Sequence, residues 1–194
     1  MSSHLYLVRH APTAYNARGM FMGGLDVAAE PVVDPDRFRV PCGGQRVIYA
    51  SPLRRALTAA SVLFPGEHVT QDARLVERSM GELEGLDHAT VKSRWPDSFV
   101  GSSVNPRFAP PGGETMQVFA ARVADFLLEL MTHTSGDQDA YVVTHNGWIR
   151  TALLLRGQVE PEELFSESVA FLEPIAYACD ADRLRRREGI SGLV

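Results

Sequence analysis

Residues 4–10 read HLYLVRH, and residues 140–147 read AYVVTHNG. Both segments begin with a short apolar run that contains β-branched or aromatic residues, and both continue into a polar turn with a histidine. Such runs predict buried strands that end in loops. Because ligands bind at the carboxyl edge of an open parallel sheet, we expect His10 and His145 to lie together at that edge.

Outward from these two segments, the chain alternates between strand-like and helix-like patterns. A strand is predicted at 46–50, followed by a helix that has Ser51 as its N-cap and Pro52 in its first turn and ends near residue 63. Later segments continue the alternation: a strand at 68–70, a helix at about 112–135, a helix at about 147–155 and a strand at 168–179. This order predicts an α/β sandwich.

The composition excludes several classes of protein. The 194 residues include 24 acidic and 19 basic side chains, for a formal charge of −5, and the isoelectric point is near 5.7. This balance argues against nucleic acid as a partner, and no apolar run approaches the roughly 18 residues of a membrane span. Arg9 and His10 lie where an export signal would have its apolar core. We therefore expect a cytoplasmic protein.

We interpret residues 1–194 as a single domain, since no linker, repeat or low-complexity segment divides them. Two proline-containing stretches with little periodicity, about 28–44 and 97–113, are interpreted as long surface loops, which often border a site. Cys42 and Cys179 are too few for a disulfide framework, and whether they pair is open. The oligomeric state is open as well, a homodimer included.

Several groups suited to binding an anion are predicted to reach the carboxyl edge of the sheet. Arg9 and His10 follow the first strand, and Arg54 and Arg55 follow the strand at 46–50. His145 follows the apolar run at 140–144. Arginine presents a planar fork of donors that matches the oxygens of phosphate or carboxylate. The three strand ends therefore predict a pocket for a dianion.

In these segments the chain resembles the histidine phosphatase superfamily, also called phosphoglycerate mutase-like. Five segments are similar to the family's motifs, in the family's order: VRHAPTAYN at 8–16, SPLRRA at 51–56, LVERSMGELEG at 75–85, PGGET at 111–115 and VVTHNG at 142–147. A single motif of this kind occurs by chance, whereas five in order are far more specific. The resemblance implies a three-layer α/β/α sandwich with a mostly parallel central sheet.

The resemblance implies a phosphatase of small phosphate monoesters that forms a covalent phosphohistidine and needs no cofactor and no metal. His10 corresponds to the nucleophile, a role that suits histidine because its ordinary pKa near 6.5 leaves much of it neutral at pH 7. Glu77 corresponds to the proton donor for the leaving oxygen, and it would then take a proton from the attacking water.

The remaining site residues follow from the same resemblance. The motif spacing assigns the phosphate-binding arginine to Arg55 and leaves Arg54 as a flanking residue. Arg9, Arg55 and His145 are expected to surround the phosphate, assisted by backbone N–H groups at the helix start after His145. Further contacts to phosphate or substrate are expected from Thr13, Asn16, Gly23 and Asn146. Glu84 is expected to organise its loop, and Glu114 to stabilise the start of the following helix.

The chain departs from the family's pattern at several positions. Ala11 replaces a glycine, Pro12 replaces an acidic residue, and Asn146 replaces a glycine after the second histidine. The last change is mild because asparagine tolerates unusual backbone angles. The helix that usually separates the first two motifs is not recognisable at 29–44.

Three alternative functions remain open. A mutase would pass the phosphoryl group to a second substrate; the segment 86–111 is shorter than the insertion that cofactor-dependent mutases of the family carry, which favours a phosphatase. The intact set of motif residues argues against a non-catalytic phosphate-binding or regulatory member. A metal hydrolase is disfavoured because no His-Glu-x-x-His or paired-cysteine spacing occurs.

The motifs do not specify the substrate, which is expected to be a small phosphorylated metabolite. Residues 20–22, the 97–113 loop and Trp148 are expected to line the pocket mouth and to select it. Sugar phosphates, nucleotide monophosphates, ribazole phosphate and protein phosphohistidine all stay open.

Overall fold

Strands and helices alternate in a computed structural model that describes residues 4–40, 45–133 and 138–178. The strands are β1 (Leu5–Arg9), β2 (Gln45–Ala50), β3 (Thr70–Gln71), β4 (Phe99–Val100), β5 (Ser103–Val104), β6 (Gln138–Thr144) and β7 (Pro174–Tyr177). The α-helices are α1 (Ala14–Ala17), α2 (Arg54–Leu63), α3 (His88–Arg94), α4 (Met116–His133) and α5 (Asn146–Arg156). Short 3-10 turns connect several of them.

The central sheet has five strands in the order β3-β2-β6-β1-β7. The first four are parallel, and β7 pairs antiparallel with β1 at the edge. The register places Arg9 opposite Thr144 and Ala50 opposite Val143, so the carboxyl ends of β1, β6 and β2 lie side by side. The predicted mostly parallel α/β sheet is confirmed.

Helices cover both faces of this sheet because its central strands are apolar on both sides. Leu7 and Val142 contribute to a buried cluster with α4 and α5. Their chain neighbours, Val8 and Val143, contribute to a second cluster with α2 on the opposite face. The result is the expected three layers, with the carboxyl edge of the sheet left for a site.

Helix α2 begins two residues later than the sequence pattern predicts. Leu53, not Ser51, is the N-cap, and it makes no side-chain capping bond. The Ser51 hydroxyl instead lies 2.8 Å from Nε2 of His145. Ser51, which the sequence pattern predicts as a helix cap, therefore lies at the carboxyl end of β2 and bonds to His145.

The described parts of the two predicted loops contain more regular structure than their sequences indicate. In the first, the described residues 28–40 contain a 3-10 turn at Pro35–Phe38, and Phe38 and Val40 pack on the α2 side of the sheet. The second, 97–113, contains the β4-β5 hairpin. Pairings of two residues are too short to produce a recognisable alternation. Cys42 and Cys179 lie outside the described residues.

None of the helices in the described ranges combines the length and the apolar character needed to span a membrane.

Candidate active site

Three strand ends bring His10, His145 and Ser51 together. His10 directly follows β1, and its backbone N–H donates to the carbonyl of Thr144 at 2.8 Å. The Ser51 N–H donates to the carbonyl of Val143 at 2.9 Å. The rings of His10 and His145 lie 5.2 Å apart between centroids. The predicted pairing of the two histidines at one sheet edge is present.

His10 is buried, and its contacts define its protonation. Its Nδ1 lies 2.6 Å from the carbonyl oxygen of Ala11, which can only accept, so Nδ1 carries the proton. Burial, together with the charges of Arg55 and Arg9, lowers the pKa of His10 to about 3 despite this hydrogen bond. The imidazole is therefore neutral at pH 7, and Nε2 has a free lone pair.

His145 is fully buried and holds the opposite tautomer. Nε of Arg55, an obligatory donor, lies 3.3 Å from its Nδ1, so Nδ1 accepts. Nε2 then carries the proton and donates to the hydroxyl of Ser51. Burial, with the charges around it, lowers the pKa of His145 well below its usual range. His145 is thus a neutral link between Arg55 and Ser51.

Arg9 is fixed against the segment that precedes β7. Its Nη1 donates to the hydroxyl of Ser168 at 2.5 Å and to the carbonyl of Val169 at 2.6 Å, and its guanidinium carbon lies 3.8 Å above the ring of Phe171. Burial lowers the pKa of Arg9 to about 10, so it stays charged at pH 7. Its buried Nε has no hydrogen-bond partner among the described residues. An unsatisfied buried donor of this kind is suited to an anion.

The structure separates the two arginines of the second motif. Arg55 is completely buried and donates to the carbonyls of Gly23 and Leu25 as well as to His145. Burial lowers the pKa of Arg55 from the usual range of an arginine. The Arg54 side chain is 62% exposed and pairs with Asp26. Arg55, the predicted phosphate-binding arginine, is thus the buried member of the pair, and Arg54 is the exposed one.

The Glu77 carboxylate contacts the first turn of α5 from a separate segment of the chain. Its Oε2 accepts the N–H of Gly147 at 2.8 Å, and its Oε1 accepts the N–H of Arg78 at 3.0 Å. A Cβ added to Gly147 would lie 2.6 Å from Oε1, so only glycine allows this approach. The N–H of Gly147, at the helix start that was expected to face an anion, is thus bonded to Glu77.

Sequence reasoning underused two residues: Arg78, which lines the cleft, and Ser51, which bonds to His145. Arg78 is buried and donates to the carbonyls of Glu114 and Phe108, and burial lowers its pKa to about 10. Its Nη1 is buried with no hydrogen-bond partner within the described ranges. Its position next to Glu77 was the available signal. Ser51 was missed because its sequence context is that of a helix cap.

The other predicted contacts divide between the cleft and its supports. Gly23 lines the cleft at φ 47°, and its carbonyl holds Arg55. Asn146 also lines the cleft, and its Oδ1 accepts the N–H of Val169 at 2.8 Å. Thr13 and Asn16 cap each other at the start of α1, and neither is among the lining residues.

The two further glutamates hold loops in place. Glu84 accepts the N–H groups of Gly24 and Met80, both at 2.9 Å, as expected of a residue that organises its loop. Glu114 accepts the N–H of Ser79 and pairs with Arg122 of α4 at 2.7 Å. It therefore ties the loop to α4 through side chains, and not only through the helix dipole.

These residues surround one cleft of about 770 Å³, part of it open to solvent. The residues lining its inner end are His10, Glu77, Gly147, Arg9, Arg55 and Arg78, and those lining the outer part include Met20, Phe21, Met22, Met80, His88, Val104 and Phe165. Residues 20–22 and Val104 of the 97–113 stretch thus lie where expected. Trp148 does not, because it is fully buried in the core beside Phe126.

The arrangement is suited to displacement at phosphorus. A neutral histidine, a carboxylate and three guanidinium groups meet at the inner end, which supplies a nucleophile, a proton carrier and fixed charge for phosphate oxygens. Among the described residues, no group of three or more histidine, cysteine, aspartate or glutamate side chains is placed to hold a metal ion.

The sequence and the structure are similar to those of several known proteins. The family model "Histidine phosphatase superfamily (branch 1)" matches residues 40–175. A 2,3-bisphosphoglycerate-dependent phosphoglycerate mutase from Brucella ovis is 27% identical over 94% of this chain and 95% of its own. A phosphoglycerate mutase structure from Thermus thermophilus is 27% identical, with a TM-score of 0.65 and coverage of 89% of this chain and 91% of its own.

A mycobacterial glucosyl-3-phosphoglycerate phosphatase complexed with VO3 has a TM-score of 0.75 at 24% identity, over 91% of this chain and 93% of its own, which shows a shared fold. The family model alone spans more than half of the sequence. Fold, motif order and site geometry agree with that match, and the chain belongs to the histidine phosphatase superfamily.

Proposed function

We propose that the protein is a phosphatase that hydrolyses phosphate monoesters of small metabolites through a phosphohistidine on His10. The observation that carries this proposal is the protonation pattern of His10. The Nδ1–H is held by the carbonyl of Ala11, so the lone pair needed for attack is on Nε2. Because its pKa of about 3 keeps the ring neutral, no base has to remove a proton before it reacts.

In the first step, Nε2 of His10 attacks phosphorus, and the bond between phosphorus and the ester oxygen breaks. Glu77 in its acid form gives its proton to the leaving alkoxide. Arg9 and Arg55 stabilise the negative charge on the equatorial oxygens in the transition state. Both side chains are already held by protein carbonyls, so little reorganisation is needed when the phosphate binds.

In the second step, water attacks the phosphohistidine. Glu77, now a carboxylate, takes a proton from the water as its oxygen bonds to phosphorus. The bond between phosphorus and Nε2 breaks, phosphate leaves and the histidine regains its lone pair. Each carboxylate oxygen of Glu77 accepts one backbone N–H and keeps a lone pair for this proton.

A mutase is the second candidate, and one finding favours it. The chain covers 95% of the Brucella ovis mutase, so the shortness of segment 86–111 does not distinguish phosphatases from mutases. The expectation based on that length is therefore withdrawn. A mutase would use the same first step and then pass the phosphoryl group to a hydroxyl of a second substrate instead of to water.

The test is phosphate release from p-nitrophenyl phosphate with and without a chelator, for the native chain and for His10→Ala. We expect chelator-resistant release that is lost in the variant. A parallel reaction contains 3-phosphoglycerate and 2,3-bisphosphoglycerate, and conversion to 2-phosphoglycerate faster than phosphate release identifies a mutase. Release that survives His10→Ala or requires metal contradicts the mechanism. A folded native chain inactive in both reactions supports a phosphate-binding role.

A further inference from the structure

The outer part of the cleft differs in chemistry from the inner end. Its wall is formed by three methionines, two phenylalanines, one valine and one histidine: Met20, Met22, Met80, Phe21, Phe165, Val104 and His88. Methionine thioethers adapt to irregular partners and make favourable contacts with aromatic rings. A wall of this composition gains most from an apolar ring placed against it.

The distribution of charged residues along the cleft also favours an uncharged, apolar leaving group. The described residues that line the cleft carry positive charge only on Arg9, Arg55 and Arg78, and negative charge only on Glu77. All four are at the inner end. With Glu77 in the acid form that the first step requires, three guanidinium groups face one phosphate dianion. All three belong to the inner end, so the outer wall offers no charged partner to a second anionic group.

His88 does not provide the missing cation. Its ring packs on Phe21 with 4.8 Å between centroids and lies 5.5 Å from Phe99. This partial burial lowers the pKa of His88, so the ring is neutral near pH 7. A second carboxylate or phosphate at the mouth would lose water against thioethers and rings without gaining a charged partner.

Resting on the proposed phosphatase activity, we propose that the cleft selects phosphate monoesters whose leaving group carries an apolar aromatic ring over those with a second anionic group. The inner arginines bind the phosphate, and the ring lies against the methionine and phenylalanine wall.

The test compares esters that release similar alkoxides, so that intrinsic reactivity differs little. The substrates are 2-phenylethyl phosphate, glycerol 3-phosphate and 3-phosphoglycerate. Burial of a phenyl ring against the wall predicts kcat/KM for 2-phenylethyl phosphate about 30-fold or more above that for 3-phosphoglycerate. An equal or lower value for 2-phenylethyl phosphate overturns the selectivity.

Two substitutions test whether the residues of the wall cause this selectivity. Val104→Thr keeps the side-chain shape, and we expect it to lower kcat/KM for 2-phenylethyl phosphate several-fold more than kcat/KM for glycerol 3-phosphate. The matched control is Val118→Thr, an exposed position on α4, which changes neither value. Met20→Arg adds a cation at the mouth, and we expect a several-fold gain for 3-phosphoglycerate. A loss shared equally by all substrates contradicts a role of the wall in selectivity.

A binding measurement separates failure of this inference from failure of the proposed activity. The affinities of 3-phenylpropylphosphonate and 4-phosphonobutyrate, which differ only in a terminal phenyl or carboxylate, are compared by calorimetry. Tighter binding of the phenyl compound by about 30-fold supports the inference even if no ester is hydrolysed. Tighter binding of the carboxylate overturns it, even if p-nitrophenyl phosphate is turned over.

Discussion

At the scale of single residues, the protonation of His10 links the chemistry to stability. The pKa of His10 is about 3 in the folded chain, against about 6.5 for an exposed histidine. Between these values the unfolded chain binds more protons than the folded one, so stability rises with pH and is lost as pH falls. The buried, neutral His145 acts in the same direction.

We therefore predict that the free energy of unfolding falls as pH decreases from about 6.5 to 4, by up to about 1.4 kcal/mol per pH unit for each of these histidines. Urea unfolding at a series of pH values measures this slope. His10→Gln removes the titrating group and should make the slope shallower. An identical slope in the variant between pH 6.5 and 5 would show that His10 does not have the low pKa.

Arg55 and Arg54 form a natural matched pair, because they are neighbours of one residue type with opposite exposure. Arg55→Lys removes the fork that reaches Gly23, Leu25 and His145, and a single ammonium cannot replace it. We predict a fall in kcat/KM of about 10²- to 10³-fold. Arg54→Lys should change it less than about twofold, as expected of an exposed pair. Comparable losses in both would refute the assignment of Arg55.

At the scale of secondary-structure elements, the start of α5 holds Glu77. Gly147→Ala would place a methyl group 2.6 Å from Oε1 and push the carboxylate from its two N–H donors. We predict a loss of activity of about 10²-fold or more, the size of a general acid–base contribution, with a smaller effect on stability. Steady-state kinetics and thermal unfolding measure the two effects.

A double variant tests whether the glycine acts through Glu77. If it does, Gly147→Ala combined with Glu77→Gln costs no more activity than Glu77→Gln alone, because neighbours in one unit are not additive. Additive losses would mean that Gly147 acts by another route, such as direct approach to the phosphate.

Sequence reasoning succeeded for elements that have one dominant signal. The runs that became β1 and β6 are apolar on both faces, and each leads into a histidine, so their place in the sheet follows from pattern alone. Ser51 was misassigned because a serine before Pro52 satisfies the rule for a helix cap, whereas its bond to His145 bridges 94 residues. A contact between residues so far apart in the chain produces no recognisable pattern in the local sequence.

At the scale of the whole molecule, the fold places the site at the sheet edge and the main core behind it. Two neighbouring residues of α5 show where the site ends and the core begins. Gly147 contacts Glu77 in the site. The Trp148 ring is buried in the core and donates its Nε1–H to the carbonyl of Arg74 at 2.9 Å. Sequence alone could not separate these directions, because which side of α5 faces the core depends on α4.

Trp148→Phe tests this division. The change removes the donor to Arg74 and part of the packing on Phe126, so we predict a loss of about 1–3 kcal/mol in the free energy of unfolding. KM should be unchanged, since the ring does not line the cleft. Denaturant unfolding and steady-state kinetics give both values. A raised KM with unchanged stability would place the tryptophan at the substrate.

The most direct test of the central claim is to trap the intermediate. The native chain and His10→Ala are mixed with a ³²P-labelled phosphate monoester and quenched in alkali, where phosphohistidine survives. We predict one labelled site, Nε2 of His10, formed and lost at rates that account for turnover and absent from the variant. Turnover without label on His10, or label on another residue, would contradict the mechanism.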